Sequence, residues 1–376
     1  MRLRTFSGSD RFSVVIHLWL ILFVAVLPAH AFAAVFPAAH WGKVSTPEAA
    51  GWSATLLKAA DEYARTLQTD AFLIVDSGVI VHEYGAVNRT MNVHSVRKSI
   101  LAVLMGIYAD RGMIDISKTL ADLNINDKSN LSTAERQATV RQLLQARSGI
   151  YHPAAYETPG MKAARPSRGV FQPGEHWYYN NWDFNALGTI FRKFSGRTVF
   201  EALNTDLAKP LQFEDFKPAS DTRFLYESTS EHPAYIMRLS ARDLARVGLL
   251  MAHSGTWGDI RMLSQKWVDE SSTSYSNASP GTGYGYLWWV GLDGWHFRQR
   301  FPGKVFSARG NHGQYMVVDP VRDLVIVHLV DNTKENHRSV SSKQFGELLK
   351  LILNAGNFAN KQSAYLHNKS QSLEKR

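Results

Sequence analysis

A chain of 376 residues, 45% hydrophobic and 20% charged, has ordinary globular composition and is long enough for one large domain or one domain with a sizeable insertion. It contains no cysteine, which excludes disulfides, thiolate metal sites, a thiol nucleophile and a lipidated cysteine. The net charge of +9 is scattered apart from a basic stretch at 369–376, so nucleic acid is not an expected partner.

At the N-terminus, Arg2, Arg4 and Arg11 precede an apolar run over 12–27, followed by Pro28, Ala29-His30-Ala31 and Ala31-Phe32-Ala33. A basic region, an apolar region and small-residue cleavage sites are the layout of a secretory signal peptide, expected over 1–33. The apolar run falls short of the roughly 20 residues that span a bilayer. No stable membrane span is expected after cleavage, and the expected localisation is periplasmic or secreted. Export without cysteine fits a bacterial periplasm and a core that needs no covalent staples.

The folded domain is expected over 34–356. Residues 53–67 read as a helix with Ser53 as N-cap. Strands over 72–76 and 79–84, joined by Ser77-Gly78, read as a hairpin. A helix starting at Ser95 ends near Arg111-Gly112, and its nearly all-apolar surface predicts burial in the middle of the protein. Helices are also expected over 140–146, 185–195 and 241–253, separated by loops rich in Pro, Gly and Tyr. Residues 314–318 and 324–330 form a second hairpin around Asp319-Pro320, a last helix covers 342–353, and 357–376 is a polar tail expected to be disordered. Strands at both ends with helices between predict an α+β fold: one antiparallel sheet built from both chain ends, a helical insertion, and a site where the two meet.

Three segments carry chemistry. Ser95-Val96-Arg97-Lys98 at a helix start puts a hydroxyl and an amine on one face, because residues three apart are neighbours there. A Ser hydroxyl is a weak nucleophile until a base takes its proton, and a desolvated Lys can be that base. The same pattern recurs at Ser372-Leu373-Glu374-Lys375, in the polar tail, where no such setting exists. The second segment, 173–188, is crowded with aromatic and amide side chains, including Tyr178-Tyr179-Asn180-Asn181. A Tyr hydroxyl can relay a proton and an Asn amide can position a carbonyl, although Asn can equally cap the helix that follows. The third, Arg309-Gly310-Asn311-His312-Gly313-Gln314, leads into a strand, and a Gly at a strand edge lets a substrate approach backbone N–H groups. Such a donor, paired with the Ser95 N–H, would form an oxyanion hole. His82-Glu83 lacks a second His at helical spacing, Gly-x-Ser-x-Gly is absent, and no Gly-rich phosphate loop is found. Neither a metal nor another cofactor is expected.

The order and setting of these segments resemble the β-lactamase-like serine hydrolases: class C β-lactamases, serine DD-peptidases, esterases and 6-aminohexanoate-dimer hydrolases. The resemblance covers roughly 41–355 and extends to Val140-Arg141-Gln142-Leu143-Leu144, Ser148-Gly149-Ile150, and the stretches 239–245 and 283–289. It implies a β-lactamase/transpeptidase-like fold, Ser95 as the acylated nucleophile and Lys98 as its base partner. Tyr178-Tyr179-Asn180 and Tyr179-Asn180-Asn181 both fit the family's Tyr-x-Asn. Spacing from the upstream Pro-Gly and the downstream Leu-Gly selects Tyr179 and Asn181, with Tyr178 the fallback, and looks closest to the 6-aminohexanoate-dimer hydrolase and esterase branch. In the third motif Asn311 stands where the family has Lys or His two before Gly313. The neighbouring His312 is expected on the opposite face of an extended strand. Gln314 would still supply a backbone oxyanion donor. The implied function is exported hydrolysis of a small-molecule ester or amide; β-lactamase or DD-peptidase activity, or a non-catalytic module that binds cell-wall fragments, remain as alternatives.

Overall fold

Strands from the two ends of the chain meet in the computed structural model, which describes residues 35–358. The leader expected over 1–33 and the tail beyond 358 lie outside the described residues. Helix α1 (Ala54–Thr66) opens on Ser53, whose hydroxyl accepts from the Leu56 N–H, and it buries Leu57, Ala60 and Ala64. Strands β1 (Ala71–Asp76) and β2 (Val79–Gly85) form the first hairpin. Its turn needs left-handed backbone at Ser77 and Gly78 (φ 52° and 79°), and a Cβ on Gly78 would strike the Val35 carbonyl.

A two-residue strand, β3 (Met91–Asn92), leads into α2 (Val96–Asp110), in which every residue from Val96 to Tyr108 is buried. Next come α3 (Val140–Leu144), α4 (Asn181–Ser195), β4 (Thr222–Leu225), β5 (Ala234–Leu239) and α5 (Ala241–Ala252). Strands β6 (Ser276–Ser279), β7 (Thr282–Tyr284), β8 (Trp289–Gly291), β9 (Phe306–Gly310), β10 (Gln314–Asp319) and β11 (Leu324–Leu329) precede the last helix, α6 (Ser342–Ala355).

Eight strands make one antiparallel sheet in the order β2-β1-β11-β10-β9-β8-β7-β6. The early hairpin joins the late one through β1 and β11, with Ala71 opposite Leu329 and Asp76 opposite Leu324. Alternation then sorts the side chains into two layers. Phe72, Ile74, Tyr315, Val317 and Ile326 pack with α1 and α6. Leu73, Val75, Met316, Val318 and Val325 pack with α2 and α5. Burial on both faces explains why these strands read as unbroken apolar runs. The insertion between β3 and β5 carries α3 and α4, and α2 runs between it and the sheet, contacting α4, β9 and β10.

The α+β fold and the sheet built from both chain ends match the sequence expectation. One boundary differs by a full helical turn: α4 begins at Asn181, four residues before the expected start at 185. The Asn180 side chain accepts from the Trp182 N–H and starts the helix inside the aromatic segment.

Candidate active site

The turn before α2 sets the geometry. His94 adopts a left-handed conformation (φ 47°), and its N–H donates to Asn92 Oδ1 at 3.0 Å. Ser95 follows as the residue preceding the first helical turn, and its side chain does not cap the helix. The hydroxyl instead meets Lys98 one turn on, with Nζ donating to Ser95 Oγ at 3.0 Å. The same Nζ lies 2.7 Å from Tyr179 OH and 2.8 Å from Asn181 Oδ1. It also sits over the rings of Tyr179 and Phe184, 4.1 and 4.4 Å from their centroids.

Lys98 is 1% exposed. Burial holds its ammonium well below the usual lysine range, and the positive charge of Arg97 pushes it the same way. Arg97 is fully buried and forms no ion pair with a carboxylate among the described residues; it rests over Tyr235 (4.8 Å) and Tyr156 (5.4 Å). Burial pushes the Tyr179 hydroxyl up to about 12, partly offset by its hydrogen bond with Ser95 and by the charge of Arg97. The amine is thus favoured neutral and the phenol protonated.

The two Asn side chains of the second segment divide the roles open to them. Asn180 caps α4 and donates to Asp183 Oδ1 at 3.0 Å. Asn181 accepts from Lys98 and donates through Nδ2 to the Tyr156 carbonyl at 2.7 Å. Tyr178 points elsewhere, its hydroxyl donating to the Met161 carbonyl at 2.6 Å. Asp183 is fully buried; it accepts from Ser148 and Asn180, and burial raises its carboxyl well above the usual range.

Tyr156 was not singled out from the sequence. It lies in the loop before α4 with left-handed backbone (φ 66°), and its hydroxyl meets Asn92 Nδ2 at 3.1 Å and His94 Nδ1 at 2.8 Å. That residue ties the segment leading to the nucleophile to the one holding Asn181. An isolated Tyr in a Pro-rich loop gave no signal for this.

The third segment departs from expectation. Residues Asn311–Gly313 are not extended strand but a tight turn joining β9 to β10, with His312 left-handed at φ 66°. The alternation used to place His312 on an opposite strand face therefore does not apply. His312 Nδ1 bonds Ser339 Oγ at 2.8 Å, and its ring lies 4.9 Å from that of His94. Gly310, at the end of β9, passes so close to the Ser95 turn that a Cβ would lie 2.5 Å from the Val93 carbonyl. A Cβ on Gly313 would lie 2.8 Å from Val340. Asn311 is exposed in the turn. Gln314 is fully buried, and its side-chain amide brackets Val330, donating to its carbonyl (2.7 Å) and accepting from its N–H (3.1 Å).

Beside the site, Trp289 stacks on Tyr179 (5.5 Å, 28°) and Trp177 lies edge-on to Trp289. Trp182 and Trp288 are fully buried core residues. Among the described residues, no three His, Asp or Glu side chains are grouped to hold a metal ion, and no helix is long and apolar enough to cross a membrane.

The chain and its fold are similar to those of known proteins. The chain is 25% identical over 334 residues to the 6-aminohexanoate-dimer hydrolase of Paenarthrobacter ureafaciens, covering 79% of this chain and 81% of that one. A penicillin-binding protein homologue from Caulobacter crescentus shares the fold with a TM-score of 0.60 at 17% identity, over 81% of this chain and 99% of that one. A family VIII carboxylesterase does so with a TM-score of 0.60 at 16% identity, over 80% of this chain and 97% of that one. The Beta-lactamase family profile matches residues 59–347, most of the chain, and by that match the protein belongs to the Beta-lactamase family.

Proposed function

We propose that the protein is an exported serine hydrolase that cleaves a carboxylic ester or small amide through an acyl-enzyme on Ser95. The observation that carries this reading is the buried Lys98 amine, within hydrogen-bond reach of both Ser95 Oγ and Tyr179 OH. A neutral amine has two N–H donors and one lone pair. One N–H goes to Asn181 Oδ1, which can only accept, and the lone pair faces a hydroxyl proton. Ser95 Oγ attacks the substrate carbonyl as its proton passes to Lys98 directly or through Tyr179. The tetrahedral oxyanion lies between the Ser95 N–H and an N–H of the turn joining β9 to β10, where Gly310 passes Val93. Gln314, the donor expected from the sequence, stands at the end of that turn. As the intermediate collapses, the ester or amide C–O or C–N bond breaks and the captured proton goes to the leaving group. Water then cleaves the Ser95 ester and releases the acid.

The substrate preference follows from the third motif. Asn311 supplies no fixed positive charge, so the site lacks the Lys that helps hold a β-lactam or peptidyl carboxylate in the family pattern. Trp289 and Trp177 beside Tyr179 offer an apolar wall for a small acyl group. Initial rates on a short-chain p-nitrophenyl ester, a linear amide and nitrocefin test the reading. The expected result is the highest kcat/KM on the ester, abolished in Ser95→Ala with folding intact. A higher kcat/KM on nitrocefin would overturn the substrate assignment, and turnover that survives Ser95→Ala would overturn the mechanism. Export is tested by the N-terminal mass of the mature protein, expected to lack residues 1–33.

A further inference from the structure

A cavity whose lining includes neither Ser95, Lys98 nor Tyr179 is built around Arg309. Arg309 alternates along β9 with Phe306 and Ala308, which pack in the α2 layer, so its side chain belongs to the other face of the sheet. There it lines a cavity of about 630 Å³, within the usual size range of small-molecule sites. Trp295, His296, Phe297, Arg298 and Lys343 share the lining, with the turn joining β6 to β7.

Three cations face this space, and no carboxylate among the described residues lines it or pairs with Arg309, Arg298 or Lys343. Arg309 is held in place. Its guanidinium rests on Phe297 at 3.9 Å and against Trp289 at 5.2 Å, Nε donates to Ser307 Oγ, and Nη2 lies beside the His296 ring. Burial holds it down to about 9, so it stays charged at neutral pH without a counter-ion. Burial keeps His296 well below the usual histidine range, hence neutral, and its Nε2 meets Ser307 Oγ at 2.7 Å. Ser342 and Lys343 bring the first turn of the 14-residue helix α6 to the same cavity, adding the positive end of its dipole.

The hairpin supplying Phe297 and Arg298 is strained. Both residues are left-handed (φ 48° and 62°), in a turn whose backbone ordinarily selects Asn and Gly. That conformation seats Phe297 under Arg309 while Arg298 and the half-exposed Trp295 stand at the cavity.

We propose that this cavity is a binding site for a small amphiphilic carboxylate. The carboxylate meets Arg309 with Arg298 and Lys343, and the apolar body lies along Trp295 and Phe297. An inorganic anion would leave the aromatic wall unused, and a neutral apolar ligand would leave three cations unpaired. The cavity lining includes none of Ser95, Lys98, Tyr179 or Asn181 and meets the Ser95 site only through Trp289, against which Arg309 rests, so the inference stands or falls independently of the catalytic reading.

The test is calorimetric titration of the full chain with 4-phenylbutyrate, and with 4-phenylbutanamide as its neutral counterpart. Saturable binding of the acid is expected, with the amide at least about tenfold weaker. Arg309→Gln should weaken the acid about tenfold or more. Because Arg309 is packed in place, the doubly substituted R298Q/K343Q chain, altered only at exposed positions, provides a second arm and should weaken binding at least several-fold with an unchanged melting temperature. Absence of saturable binding, equal affinity for acid and amide, or unchanged affinity in R298Q/K343Q would overturn the proposal.

Discussion

Asn181→Asp places a carboxylate where an amide oxygen now lies 2.8 Å from Lys98 Nζ. Two opposite unit charges at that separation interact by about 6 kcal/mol at an effective dielectric constant of about 20. Since about 1.4 kcal/mol corresponds to one pKa unit, the amine gains up to about 4 units of basicity. Lys98 must be neutral to accept the Ser95 proton, and in the native chain burial and Arg97 both favour that form. The new carboxylate reverses this by favouring the ammonium. The acid limb of kcat/KM against pH, measured with a p-nitrophenyl ester from pH 5 to 10.5, should therefore move upward by about 2–4 units. Activity at pH 7 should fall by about 10² or more and recover partly at high pH. Asn181→Ala, which loses the same hydrogen bond without adding charge, should lose activity without an upward move of the limb. An Asn181→Asp acid limb that coincides with the native one would refute a neutral Lys98 as base.

Tyr179→Phe removes the hydroxyl 2.7 Å from Lys98 and should lower kcat/KM by about 10²–10⁴, whereas Tyr178→Phe, which loses only a bond to the Met161 carbonyl, should leave kcat/KM nearly unchanged. Gly310→Ala is compatible with its backbone (φ −129°) but puts a Cβ 2.5 Å from the Val93 carbonyl. It should cost about tenfold or more in kcat with a modest fall in melting temperature, since β9 must move away from the Ser95 turn. Lys98→Met should abolish turnover and change the pH dependence of stability. The native amine has a depressed pKa, so between that value and about 10.4 the unfolded chain binds the extra proton and native stability rises with pH. The stability of Lys98→Met relative to the native chain, from denaturant melts, should therefore be greatest at low pH and shrink toward pH 10; a pH-independent difference would contradict a depressed Lys98.

Much of the architecture was legible because burial on both faces leaves a strong trace. Strands β1, β10 and β11 and helix α2 are nearly continuous apolar runs, and Ser95 and Lys98 sit one turn apart on that helix. What escaped detection depends on contacts distant in sequence. The start of α4 was hidden because Asn181 and Asp183 are buried polar residues held by Tyr156 and Ser148, so the segment lacks an ordinary amphipathic pattern. Strand β6 is Ser-Asn-Ala-Ser and gains its place only by pairing with β7. The turn at Asn311–Gly313 reads like the approach to a strand because β9, before it, is too short to announce a hairpin. Arg309 looks like any surface cation until the fold lays it on Phe297.

The central claim is that Ser95 is a nucleophile activated by Lys98. Treating the purified protein with a fluorophosphonate probe and locating the adduct by peptide mass spectrometry tests it most directly. The account predicts one adduct, on Ser95, formed in the native chain and lost in a folded Lys98→Ala variant. No adduct on the well-folded native protein, or an undiminished Ser95 adduct in Lys98→Ala, would contradict it.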